Sequence, residues 1–126
     1  MQTTAPSISE TALCSLGHEA VQMLRVGDFW SLAARFGYTL ACGRTPALAI
    51  REDLADCLLQ LQAEQLVPER GFSREVKFFR PNESGLIALI ACVVPTNRSG
   101  NVLLELIVTQ ERGEARIILE QLIPML

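Results

Sequence analysis

The sequence predicts an α+β domain, with helices first and an antiparallel sheet after them. Three observations carry this. Through the first half of the chain, apolar residues recur at helical spacing between cap signals. From Phe72 onward they come in strand-length runs separated by short turns. Two of those runs, Leu86–Val94 and Val102–Thr109, are rich in β-branched residues and flank the polar turn Thr96-Asn97-Arg98-Ser99-Gly100, the pattern of a β-hairpin. Successive short turns imply a meander. Helices gathered before a meander belong on one face of its sheet.

The elements follow in order. Ser9 can cap a first helix running to Arg25, with Leu13, Leu16, Ala20, Met23 and Leu24 on one face. Gly17, in its middle, is unfavourable by about 1 kcal/mol against alanine, so close packing or ligand approach is expected there. His18 falls on the polar side, beside Ser15, Gln22 and Arg25, as a solvated histidine. Gly27-Asp28 ends this helix and caps a short second one, Phe29–Phe36. Gly37 stops it, and Tyr38–Cys42 can form a short strand. Thr45-Pro46 opens a third helix reaching Leu66. Its stripe is Ala47, Ile50, Leu54, Cys57, Leu58 and Leu61, and its solvated side carries Arg51, Glu52, Asp53, Asp56, Gln60 and Glu64. Four strands complete the chain: Ser73–Arg80, Leu86–Val94, Val102–Thr109 and Ala115–Ile123, the last two joined by a tight turn at Arg112-Gly113.

Composition bounds the function. At 126 residues, 49% hydrophobic and 20% charged, the chain reads as one globular domain, with residues 1–8 a short disordered lead-in. A net charge of -3 and a pI near 5.1 argue against a nucleic-acid partner. Its apolar runs fall well short of the roughly 20 residues of a membrane span, and no signal peptide is visible; a cytoplasmic protein is expected. Cys14, Cys42, Cys57 and Cys92 sit in no CxxC and the lone His18 has no partner, so neither a metal site nor a cofactor is expected. The four cysteines read as reduced, mostly buried small hydrophobes.

Strand Leu86–Val94 does not alternate. Leu86, Ala88, Ile90, Cys92 and Val94 lie on one face, and Ile87, Leu89, Ala91 and Val93 on the other. A strand apolar on both faces must be covered on both. The third helix is expected on the inner face. The outer face, with that of Val102–Thr109, is expected to form a homodimer interface of about 1,600 Å² in total, the ordinary size for a specific contact.

Ala20–Phe36, AVQMLRVGDFWSLAARF, and Gly43–Leu59, GRTPALAIREDLADCLL, together with the four strands and the final Ile123-Pro124, resemble the nuclear transport factor 2-like superfamily. This is the cystatin-like fold, which also houses SnoaL-like and ketosteroid isomerase-like members. The resemblance covers nearly all the chain. It implies one domain over residues 1–126, a cone-shaped curved antiparallel sheet with three N-terminal helices packed on its concave face, and a cavity suited to a small apolar ligand. Trp30, Phe36, Tyr38 and Phe79 could line the cone's mouth, with Arg44 meeting an anionic group.

The family's catalytic residues do not carry over. Where isomerase-like members place a tyrosine on the first helix this chain has Ala20, and where they place the general base it has Arg44. Leu86–Val94 offers no acid, and Glu105 is the one acid within the following run. Proton abstraction beside a carbonyl needs a base, a donor and a partner. The favoured expectation is therefore a non-catalytic dimeric module that binds a small apolar ligand or a protein partner. The alternative is a cavity enzyme of the isomerase or cyclase class, using Glu105 with Arg44 or Tyr38. Glu105 itself, isolated among leucines, is expected to pair with Arg98 or Arg116 rather than stay buried alone.

Overall fold

The computed structural model describes residues 9–126, so the expected lead-in at residues 1–8 lies outside the described residues. Three helices, α1 (Glu10–Val26), α2 (Phe29–Phe36) and α3 (Pro46–Gln60), precede four strands, β1 (Ser73–Phe78), β2 (Leu86–Pro95), β3 (Asn101–Glu111) and β4 (Glu114–Met125). The strands form one antiparallel sheet in chain order, β1-β2-β3-β4, not closed into a barrel. This is the α+β fold read from the sequence.

Local chemistry sets the helix ends. Ser9 accepts from the Ala12 N–H and starts α1, while Gly27, left-handed at φ 77°, returns its N–H to the Leu24 carbonyl. Asp28 then accepts from the Ser31 N–H to open α2. Two expectations are corrected. Tyr38–Cys42 is not a strand: Thr39–Ala41 makes a 3₁₀ turn and Cys42 adopts a left-handed φ of 52°, which no strand tolerates. The third helix stops at Gln60 instead of Leu66. The segment beyond it leaves the helix to bond the β2–β3 turn. Leu66 bridges Thr96, the Val67 N–H donates to the Pro95 carbonyl, and Asn97 Oδ1 accepts from the Glu64 and Gln65 N–H groups at 2.9 and 3.3 Å.

The core lies between the helices and one face of the sheet. Ala88, Ile90, Cys92 and Val94 of β2 and Val102, Leu104, Leu106 and Val108 of β3 are fully buried there, with Leu13, Leu24, Leu32 and Ile50 from the helices. The helix crossing the inner face of β2 is α1, whereas α3 packs chiefly on β4 and α2, which corrects the expected place of the third helix. Gly17 marks the crossing. A Cβ there would stand 3.1 Å from Cys92 Sγ and 3.2 Å from Ile90 Cγ2, so the glycine serves close packing. The β3–β4 turn holds Arg112 and Gly113 both at positive φ, 53° and 81°, the geometry of a two-residue hairpin loop.

Candidate functional site

The face of the sheet opposite the helices carries the most unusual surface. Along a strand successive side chains point to opposite faces. The residues between the buried ones of β2 and β3 are therefore outward, and they are half-buried. The strand register aligns them into rows. Ser73, Val93, Leu103 and Ile123 form one, and Lys77, Leu89, Ile107 and Ile118 another. Between these lies the row Glu75, Ala91, Glu105 and Gln121. Two irregularities interrupt the sheet. Ile87, the extra residue where the β2–β3 register shifts, packs against the core instead of standing with Leu89. Glu120 is the extra residue where β4 shifts against Glu105 and Leu106.

Glu105 belongs to this outward face, since Leu104 and Leu106 on either side of it are fully buried on the other. Its partner is Gln121, directly across on β4, whose amide Nε2 donates to Glu105 Oε1. Neither expected arginine is used: Arg98 instead makes a 3.4 Å ion pair with Glu64. The hydrogen bond explains how a carboxylate stands among leucines and isoleucines. One oxygen accepts from a neutral amide, and the side chain is only half-buried.

Tyr38 and Arg44, two of the expected pocket residues, do come together, through a residue the sequence reading left on the solvated side. Asp53 accepts from the Tyr38 hydroxyl at 2.5 Å and from Arg44 Nη1 at 3.0 Å. Arg44 Nη1 also reaches Glu52 at 3.1 Å, and its Nε donates to the Ala41 carbonyl at 2.9 Å, closing the 3₁₀ turn onto α3. Burial and the Asp53 carboxylate push the Tyr38 hydroxyl far above its ordinary value. Burial alone would raise the Asp53 carboxyl, but the bonds from Arg44 and Tyr38 outweigh it and hold the group below the usual carboxylate range. Arg44 is raised by those same acceptors. The three groups satisfy one another, and the arrangement is a structural tie between the turn and α3. A signal for Asp53 existed: it stands three residues after Ile50 and four before Cys57, on the rim of the buried stripe.

The other expected pocket residues lie apart. Phe36 is in the core, Trp30 is 65% exposed, and Phe79 lines an open cleft of about 440 Å³ with Asn82, Leu86, Gln110 and Arg112 at one end of the hairpin. Glu105 faces away from the core to which Tyr38 belongs. Of the four cysteines, Cys57 and Cys92 are buried as expected, while Cys14 is half-buried and Cys42 exposed on its left-handed turn. His18 is exposed and stacks on Phe72, with ring centroids 5.8 Å apart. Among the described residues no cluster of histidines, cysteines and acids is placed to hold a metal, and no helix is long and apolar enough to cross a membrane. Set against protein-family models, curated proteins and solved structures, the chain matches none of them.

Proposed function

We propose that this chain is a non-catalytic, nuclear transport factor 2-like assembly module that works in the cytoplasm as a homodimer joined through the outward face of its sheet. The observation that carries the reading is the pair of apolar rows at Val93–Leu103–Ile123 and Leu89–Ile107–Ile118, on a face that no helix of the described chain covers. A contiguous apolar surface of this kind, half-buried only by its own neighbours in the sheet, marks an interaction site.

Size supports a second copy as the occupant. Four strands about 4.8 Å apart make a face about 20 Å wide, and nine paired residues make it about 30 Å long. Two such faces together remove about 1,200 Å² from water, at the lower end of specific interfaces. The separation of Glu105 from Tyr38 and Arg44 favours this reading over the cavity enzyme, because the acid and its supposed partners serve different faces.

Sedimentation tests it. The wild-type chain should sediment at twice its 13.9 kDa at micromolar concentration, and Ile107→Glu should sediment as a folded monomer with an unchanged circular dichroism spectrum. A wild-type monomer would overturn the reading.

A further inference from the structure

The middle row of the outward face fixes how two copies can meet. Glu75, Ala91, Glu105 and Gln121 lie side by side across β1, β2, β3 and β4. Ala91 is a notch between the larger Leu89 and Val93, and Glu105 is the carboxylate beside it. Resting on the homodimer reading above, we propose that the two-fold axis runs along the strands, midway between β2 and β3. Each β2 then lies over the β3 of the second copy, and Glu105 enters the notch at the second copy's Ala91.

Charge selects this axis. Two sheets packed face to face keep their strands roughly aligned, so the axis lies either along the strands or across them. Centred on the middle row, an axis across the strands would stack Glu105 on Glu105 and Glu75 on Glu75. Along the strands but through β3, it would again stack Glu105 on itself. Through β2, it would set Glu75 against Glu105. Each of these brings carboxylates together as water is excluded, where like charges repel most.

Midway between β2 and β3, the row meets its own reverse. Glu105 faces Ala91, and Gln121 faces Glu75. Gln121 donates one amide proton to Glu105 within its own chain, and its second amide proton remains for the Glu75 carboxylate of the other copy. The same axis sets Leu89 over Ile107 and lays the aliphatic stem of Lys77 across Ile118.

Disulfide trapping tests the axis separately from the existence of the dimer. Lys77 and Ile118 belong to one row but lie three strand spacings apart, about 14 Å, too far for a bond within one chain. In a Cys14→Ser/Cys42→Ser background, the variants Lys77→Cys, Ile118→Cys and the double variant are oxidised with a copper catalyst and run on a non-reducing gel.

The proposed axis predicts that the double variant shifts to the dimer band while each single variant stays at the monomer band. Equimolar mixing of the two single variants should restore part of the shift. A dimer by sedimentation whose double variant does not cross-link, or whose single variant does, overturns the axis and leaves the dimer standing. A monomer by sedimentation overturns both. Ala91→Leu, which fills the notch, should weaken the dimer at least about tenfold, as overpacking a fitted contact does. Unchanged affinity in that variant counts against the notch.

Discussion

The crossing of α1 over β2 offers a quantitative test of how the core is packed. Replacing Gly17 by alanine sets two effects against each other. Removing a glycine from a helix interior gains about 1 kcal/mol. The new methyl, however, lands 3.1 Å from Cys92 Sγ and 3.2 Å from Ile90 Cγ2, a few tenths of an ångström inside ordinary contact. Both neighbours are fully buried and cannot swing into solvent. Overpacking of this kind costs about 1–3 kcal/mol, so Gly17→Ala alone should be neutral or destabilise by up to about 2 kcal/mol. Cys92→Ala removes the nearer atom. In that background the same Gly17→Ala change should stabilise, by up to about 1 kcal/mol, with Ile90 limiting the gain. The coupling between the two sites should then be about 1–2 kcal/mol, within the range for residues in contact. Urea unfolding of the four proteins at one fixed protomer concentration measures it. Additivity to within about 0.5 kcal/mol would refute the close approach.

Three further outcomes follow from the geometry. Asp53 is held below the ordinary carboxylate range when folded. Its contribution is therefore present above pH about 4, the unfolded value, and is lost as pH falls through the folded value. The stability gap between wild type and Asp53→Asn, read from urea midpoints, should narrow on acidification, and a gap that widens would be inconsistent with the tie. Tyr38→Phe should cost about 1–2 kcal/mol at neutral pH. Burial pushes the Cys57 and Cys92 thiols up to about 11. An aromatic disulfide reagent at pH about 8 should thus titrate two thiols rapidly in the native protein, Cys14 and Cys42, and all four in urea. Rapid reaction of all four without denaturant would show that α1 does not seal Cys92 on β2 and that Cys57 of α3 is open to solvent.

The order and type of the main elements were legible because the signals were local. Ser9 and Gly27-Asp28 mark helix boundaries through the backbone groups they satisfy, Pro46 marks one through its fixed φ at the first helical position, and apolar runs broken by turn residues mark the strands. Errors arose where distant residues decide. Tyr38–Cys42 has strand composition, but Arg44 folds back on the Ala41 carbonyl and makes a 3₁₀ turn of it. The apolar pattern after Gln60 continues at helical spacing, yet the β2–β3 turn, more than thirty residues on, offers that backbone better partners. Asp53 was placed in solvent because helical spacing separates faces and does not report which rim residue meets an incoming tyrosine. Glu105 was recognised as anomalous, but its partner depended on the β3–β4 register, which the bulge at Glu120 shifts.

The chain-order sheet has a consequence for how far association can proceed. Its edge strands β1 and β4 expose unpaired backbone groups, a standing invitation to add strands without limit. Both are guarded. β1 is only six residues long and carries Arg74, Glu75 and Lys77, and β4 carries a bulge and Pro124, which has no N–H to offer a neighbouring strand. Face-to-face pairing about a two-fold axis, by contrast, consumes the surface that drives it. The fold thus separates the route that closes on itself from the routes that would grow into fibres, leaving the first open and blunting the others.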